Sequence, residues 1–330
     1  MSVRISIRRN NALACLLSLL GYLMGFSSFS VTAQQRENKP PAVDSLFMYT
    51  VNDTLSFPIF LKDEGEGHLY FFTALKTNVC NDQVCLPIEV DLYWDLLGNF
   101  HHYKPATGTS FTKFDHAYFA AEDYSRLQQI LNDTLSVLRD YRVEDLLDQQ
   151  GTKYAKEVDA VTRPTSPLFA DATVPGALYT VYTLWHLVQG PIRGMLRHYL
   201  DKHYVERTWD VVFAKSDYAP YQEYFLHHLS EEDRIMHEMA IRRLLFAKDT
   251  YVPHYAIKAL DMSFWNHPDK YNDVLARLGE LQPHVVTQVL QMIAHANNDT
   301  KRLLHRFTRS EQATEKHKKL IQKIIHHEKQ

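Results

Sequence analysis

The chain has 330 residues, 45% of them hydrophobic and 23% charged, with a formal net charge of −3. This apolar content excludes wholesale disorder, and the length allows one large domain or two smaller ones. Acids outnumber bases and no basic stripe runs through the sequence, which argues against nucleic acid as the main ligand.

Residues 1–33 have the form of a secretory signal peptide. Arg4, Arg8 and Arg9 make a basic start, residues 12–26 are an apolar run, and Val31-Thr32-Ala33 meets the small-x-small cleavage rule. The run is shorter than the ~20 residues that a membrane span needs, and no later stretch is long and apolar enough. Cleavage after Ala33 would start the mature chain at Gln34, periplasmic or secreted and without a membrane span. Three arginines and no acid leave with the leader, so 36 − 3 = 33 bases face 39 acids, a charge near −6. Cys15 leaves too, and Cys80 and Cys85 remain as an even pair in an oxidising compartment.

Residues 34–45, with their Pro-Pro pair, read as a flexible lead-in. A β pattern follows, with short runs of Phe, Tyr, Val and Ile at 46–51, 55–61, 69–75, 88–94 and 99–103. They predict an antiparallel sheet of four or five strands. Cys80 and Cys85 flank a four-residue turn, Asn-Asp-Gln-Val, between two of these runs. A hairpin loop of that length sets its flanks at a spacing that a disulfide can bridge. The pair is a structural staple or a redox-active couple. The run Val79-Cys80 to Cys85-Leu86-Pro87 also resembles the Cys-to-Cys-Pro hairpin in the amino-terminal domain of periplasmic thiol:disulfide interchange reductases, which would imply the redox role.

His101-His102 and Asp115-His116 have residue types found at metal sites. Asp115 is better read as anchoring the turn before a helix at 122–131, and no metal site is assigned. Helical spacing continues from 122 to 140, a short apolar turn covers 143–147, and a short strand is expected to carry Val158 and Val161.

The stretch from 158 to 190 carries the most chemistry. Asp159-Ala160-Val161-Thr162-Arg163-Pro164-Thr165-Ser166 leads into an apolar helix. It resembles the attachment segment of the FMN-binding domain family, Asp-Gly/Ala-x-Ser/Thr-Gly-Ala-Thr. That resemblance implies FMN joined to Thr165 by a phosphoester bond, with Asp159, Thr162, Arg163 and Ser166 around it. Arg163 and Pro164 stand where the family has Gly and Ala. Proline restricts the backbone there, and the arginine either pairs with the phosphate or blocks the transferase. The following helix, 177–188, is apolar around most of its circumference and should be buried. Its Tyr179, Tyr182 and Trp185 share a face, as core aromatics or as a platform for a flavin ring. Gly190-Pro191 then breaks the chain before a second helix, 192–205.

From 216 onward the pattern is helical. Periodic apolar sets begin at Tyr221, Met236, Val252, Val274, Val286, Leu303 and Leu320, with breaks at Asp249, His267-Pro268, Gln282-Pro283 and Asn297-Asn298. They predict helical hairpins stacked in a HEAT-like manner, or a compact bundle. The last helix, with His317, His326 and His327, has a basic face that is read as solvated. The expected class is thus α+β: an FMN-binding-like region at 46–210, then an all-α region at 216–330. No Gly-x-Ser-x-Gly elbow, His-Glu-x-x-His helix or P-loop occurs. The functional expectation is an exported envelope protein with flavin-dependent electron transfer. The alternatives are a non-enzymatic module that holds a protein partner on its helical stack, and a thiol–disulfide protein acting through Cys80 and Cys85.

Overall fold

The computed structural model describes residues 44–65, 68–79, 87–113, 116–146 and 167–326. Cys80, Cys85, the expected strand at 158–161 and the flavin motif of Asp159, Thr162, Arg163, Thr165 and Ser166 lie outside them. So does the leader.

Five strands form one antiparallel meander in chain order. They are β1 (Phe47–Asn52), β2 (Leu55–Asp63), β3 (Leu69–Thr77), β4 (Ile88–Trp94) and β5 (Phe100–Pro105). Their period-2 alternation fixes the register, because a one-residue slip would turn the apolar face to water. Phe57, Ile59, Phe71, Leu75, Val90, Leu92 and Trp94 are buried. On the other face Phe60, Phe72, Tyr93 and His102 pair in a row across four strands. β2 and β3 outrun the apolar pattern by two residues each. Lys62 pairs with Tyr70 and Lys76 with Glu89, so the ladder continues through polar positions that face solvent.

Helix α1 (Ala121–Asn132) begins where the Asp123 carboxylate accepts the Ala120 amide at 2.8 Å. Asp115, expected to anchor the turn before this helix, lies outside the described residues. The helix stops at Asn132 although its spacing runs on to 140. Asp133 accepts the Leu135 amide at 2.9 Å and Ser136 the Leu138 amide at 3.3 Å. These local bonds compete with the helix and turn Val137–Arg139 into a 3-10 turn. Helices α2 (Leu178–Gln189) and α3 (Ile192–His203) lie on either side of Gly190-Pro191, as the sequence predicts. They join the inner face of the sheet. Trp94 Nε1 donates to the Val188 carbonyl at 3.1 Å, and the Phe71 ring meets Tyr199 edge-on with centroids 6.0 Å apart.

The remaining described helices are short. They are α4 (Trp209–Lys215), α5 (Ala219–His227), α6 (Glu231–Met236), α7 (Glu238–Leu244), α8 (Val252–Ala259), α9 (Met262–Trp265), α10 (Pro268–Ala276), α11 (Pro283–Met292), α12 (Asn298–Thr308) and α13 (Glu315–His326). Proline stands in the first turn of α5, α8, α10 and α11, where its missing N–H costs nothing. Ser230, Asp261 and Asn297 cap α6, α9 and α12 through their side chains. One row runs α5–α8–α11–α13, each helix packed on the next, and α4 on α7 and α10 on α12 form the row beside it. Contacts between successive hairpins make this a stacked array. His317 ties α13 to the layer before it. The residue is buried, and its Nε2 lies 3.0 Å from the Pro283 carbonyl and 3.1 Å from Thr287 Oγ1.

Met236 and Met239 depart from the periodic reading. The buried positions of α7 are Ile241 and Leu244, and both methionines are exposed. Spacing alone does not say which of two neighbouring stripes faces the core. By its internal contacts Asp44–Gln330 is one compact unit. Among the described residues no helix is long and apolar enough to cross a membrane.

Trp94 makes a buried hydrogen bond between sheet and helices. Trp94→Phe leaves the Val188 carbonyl buried without its donor and opens a small void. The expected loss is about 2–4 kcal/mol in urea unfolding, the sum of an unmade bond and a packing defect.

Candidate ligand cleft

The turn between β4 and β5 reads Asp95-Leu96-Leu97-Gly98-Asn99. Asp95 closes it from both ends. Its amide donates to the Asn99 carbonyl at 2.8 Å, its carbonyl accepts the Gly98 amide at 2.9 Å, and its Oδ1 accepts the Asn99 amide at 2.8 Å. Asn99 Nδ2 donates to Oδ2 at 3.1 Å. Gly98 has φ +79°, and a β-carbon there would lie 2.9 Å from the Arg193 carbonyl, so both conformation and space require glycine.

Two residues far along the chain hold this turn in place. Arg193 of α3 donates from Nη2 to Asn99 Oδ1 at 2.9 Å. The Leu96 amide donates to the Tyr221 hydroxyl oxygen of α5 at 2.9 Å. The Tyr221 ring stacks on Phe213 of α4, with centroids 4.1 Å apart and planes 4° from parallel. Tyr218 meets Tyr221 edge-on at 5.1 Å.

Between the sheet end and the α4–α5 connection lies a cleft of about 710 Å³. Its sheet wall is His68, Leu69, Tyr70, Asp95 and His101, and its helical wall is Val212, Lys215, Ser216, Asp217, Tyr218 and Tyr221. The size suits a small organic ligand. Asp95 is only 5% exposed, and burial pushes its carboxyl up, against the bonds from Asn99 and Leu97 that favour the anion. Burial likewise raises the Tyr221, Tyr218 and Tyr70 phenols, with the nearby Asp95 charge adding to each. The walls therefore offer neutral aromatic hydroxyls around one withdrawn carboxyl.

A second layer of side chains orients His101. Its Nδ1 lies 2.7 Å from His102 Nδ1, and its ring faces Tyr70 at 4.8 Å. His102 stacks on Tyr93 at 4.2 Å, with planes 11° apart. Burial, then the neighbouring His101 and Lys104, lower His102 to about 4, so its ring is neutral near pH 7. Glu64 lies 3.9 Å from His102 Nε2 and 2.7 Å from Lys104 Nζ, and the Lys104 bond holds Glu64 below its ordinary value. The tautomer that both contacts favour has its hydrogen on His102 Nε2, toward Glu64. His102 Nδ1 then accepts from His101 Nδ1. Lys62 donates to the Tyr93 hydroxyl at 2.5 Å. Among the described residues no group of three or more His, Cys, Asp or Glu side chains is placed to hold a metal ion.

The residues singled out from the sequence divide sharply. The flavin motif and the cysteine pair fall outside the described residues. Of the aromatic stripe on α2, Trp185 is buried and donates to the Asp133 carbonyl at 2.9 Å, while Tyr182 donates to the Tyr141 carbonyl at 3.2 Å. Trp185 is therefore a core residue. Asp95, Tyr70, Tyr218 and Tyr221 were not foreseen as a site. The Asp-x-x-Gly-Asn string does signal a turn, but no local pattern links it to Tyr221, 125 positions away along the chain.

No protein-family model, curated protein or solved structure matches this chain.

The His102 shift has a testable sign. The unfolded chain takes up the proton near 6.5 and the folded chain near 4. Between those values only the unfolded chain is protonated, so the neutral ring's contribution is complete above 6.5 and drains away as pH falls toward 4. Asp95 acts in the opposite sense, its raised value weakening the fold as pH rises through it. His102→Asn removes the first effect alone. The unfolding midpoint of the wild type should fall relative to that of the variant as pH drops across this window, whereas a pH-independent gap would refute the account.

Proposed function

We propose that the chain is a binding protein of the cell envelope whose cleft holds a planar heteroaromatic molecule carrying a ring N–H, with FMN as the first candidate. The observation that carries this reading is the withdrawn Asp95 carboxyl at the back of a cleft walled by Tyr70, Tyr218 and Tyr221. Tyrosine faces and edges favour a flat π-system. Each Asp95 oxygen accepts one bond from Asn99 and keeps a further lone pair that a ligand N–H can fill. Lys215 and His68 on the walls suit an anionic substituent such as a phosphate.

The flavin motif of the sequence supports the same ligand by an independent route. FMN esterified at Thr165 would make the protein an electron carrier, and a non-covalent ligand would make it a carrier or sensor. The walls of the cleft supply no nucleophile activated by a neighbouring base: Ser216 Oγ accepts the Tyr218 amide at 3.1 Å. A binding role therefore fits better than hydrolysis.

The test is a titration of the purified protein with FMN, riboflavin and a saturated-ring phosphate, followed by flavin fluorescence. Tight binding of FMN, weakened about ten-fold or more by Tyr218→Ala and by Asp95→Asn, is the expected result. Equal affinity for all three ligands would overturn the reading. In a host that co-expresses a flavin transferase, intact mass separates the two modes. An FMN-sized increment that disappears in Thr165→Ala marks the covalent carrier.

A further inference from the structure

Leu131 stands in the last turn of α1, where helix carbonyls lack a partner within the helix. Its carbonyl accepts from Gln189 Nε2 at 2.6 Å. A carbonyl only accepts, so the Gln189 amide turns its nitrogen toward Leu131 and its oxygen the other way. That oxygen accepts from Arg193 Nη1 at 3.1 Å. Arg193 Nη2 in turn donates to Asn99 Oδ1 at 2.9 Å, and Asn99 Nδ2 donates to Asp95 Oδ2 at 3.1 Å. A relay of hydrogen bonds thus runs from α1 through α2 and α3 to the carboxyl at the back of the cleft.

The order of donors and acceptors along this relay is forced. A guanidinium only donates, so the end of the Asn99 amide that meets Arg193 is its oxygen. The nitrogen is then left for Asp95. The reverse orientation would set two acceptor oxygens against each other, and the carboxyl would need a proton to bridge them. Arg193 does not stand there for its own stability. It is half-buried, it bonds two neutral amide oxygens, and its Nε is buried without a partner among the described residues. A buried donor left unpaired is costly and calls for a reason beyond packing.

We infer that Arg193 and Gln189 are positioning residues for Asp95, locking Asn99 in the orientation that keeps the carboxylate an acceptor. In the function proposed above, the free lone pair of that carboxylate meets the N–H of the bound ring. The ligand's part rests on that reading, and the relay stands without it. Burial raises the Asp95 carboxyl, and the Asn99 bonds oppose the rise. The titratable groups of the cleft around it are His68, Tyr70 and His101 on the sheet side and Lys215, Asp217, Tyr218 and Tyr221 on the helical side. None of them is altered in the test.

The test is a carboxyl titration by NMR of protein carrying isotope-labelled aspartate, with the Asp95 signal assigned by its loss in Asp95→Asn. Arg193→Met and Gln189→Met should each move the Asp95 titration to higher pH. Gln189→Met changes no charge, so its shift cannot come from a lost field, and it carries the test if Arg193→Met fails to fold. In an Asn99→Leu background, where the side-chain donor is already gone, neither substitution should move Asp95 further. A wild-type titration in Gln189→Met would overturn the inference. So would a shift by Arg193→Met that persists undiminished in the Asn99→Leu background, because Arg193 would then act by its charge alone. Titration of the same variants with FMN tests the ligand's part separately, and binding weakened about ten-fold or more by Arg193→Met is expected. Unchanged FMN binding beside a shifted Asp95 would strike the ring N–H from the proposed function and leave the relay intact.

Discussion

The tie between the β4–β5 turn and the helices governs the arrangement of everything around it. The turn projects from a meander that has no crossover connections, so nothing in the sheet's own topology aims it. Its direction comes from outside. Arg193 reads the Asn99 side chain, Tyr221 accepts the Leu96 amide, and the space above Gly98 is filled by the α3 backbone. These contacts come from two helices and converge on five residues. They place a carboxyl that the turn itself has already desolvated, and they bring the α4–α5 connection within reach of the sheet end. The cleft exists because one short loop is held from two sides.

The outer face of the sheet shows a different solution to the same problem of partly covered polar groups. Tyr93 lies flat under its neighbours. His102 stacks on it, and the Lys62 and Lys104 ammonium groups sit 4.7 and 4.9 Å from its ring centre. Glu64 ties Lys104 and faces His102. Cation–π contact and ion pairing thus cover an aromatic row that would otherwise be a bare apolar stripe. The cost is a histidine held neutral well below its ordinary range. The benefit is that His101, on the cleft side, is fixed by a neighbour that does not change charge near pH 7.

The α+β architecture was legible in the sequence because period 2 and period 3.6 are local signals. β4 was delimited to the residue, and Gly190-Pro191, His267-Pro268 and Gln282-Pro283 each fall where a helix begins. Errors came where a local signal had a rival. The run to 140 kept its helical spacing, but Asp133 and Ser136 bonded the backbone first. Of the periodic set Met236, Met239, Ala240 and Leu244, Leu244 is buried and Ala240 packs on the core, but the two methionines face solvent, because spacing records periodicity and not direction. The cleft was illegible for a deeper reason. Asp95, Tyr70 and Tyr221 belong to three elements, and only the folded chain makes them neighbours. The residues that the sequence did mark, Thr165 and its companions, were marked by local order alone and lie outside the described residues.

The row of stacked hairpins gives the molecule a polarity along its length. Each layer exchanges contacts chiefly with the next, so free energy accumulates layer by layer along one axis. At one end the row abuts the sheet through Trp209 and Phe71. At the other, α13 packs on α11 and α12, and among the described residues no further helix covers it. Support therefore passes from hairpin to hairpin, and α13 stands several layers away from the cleft at the sheet end.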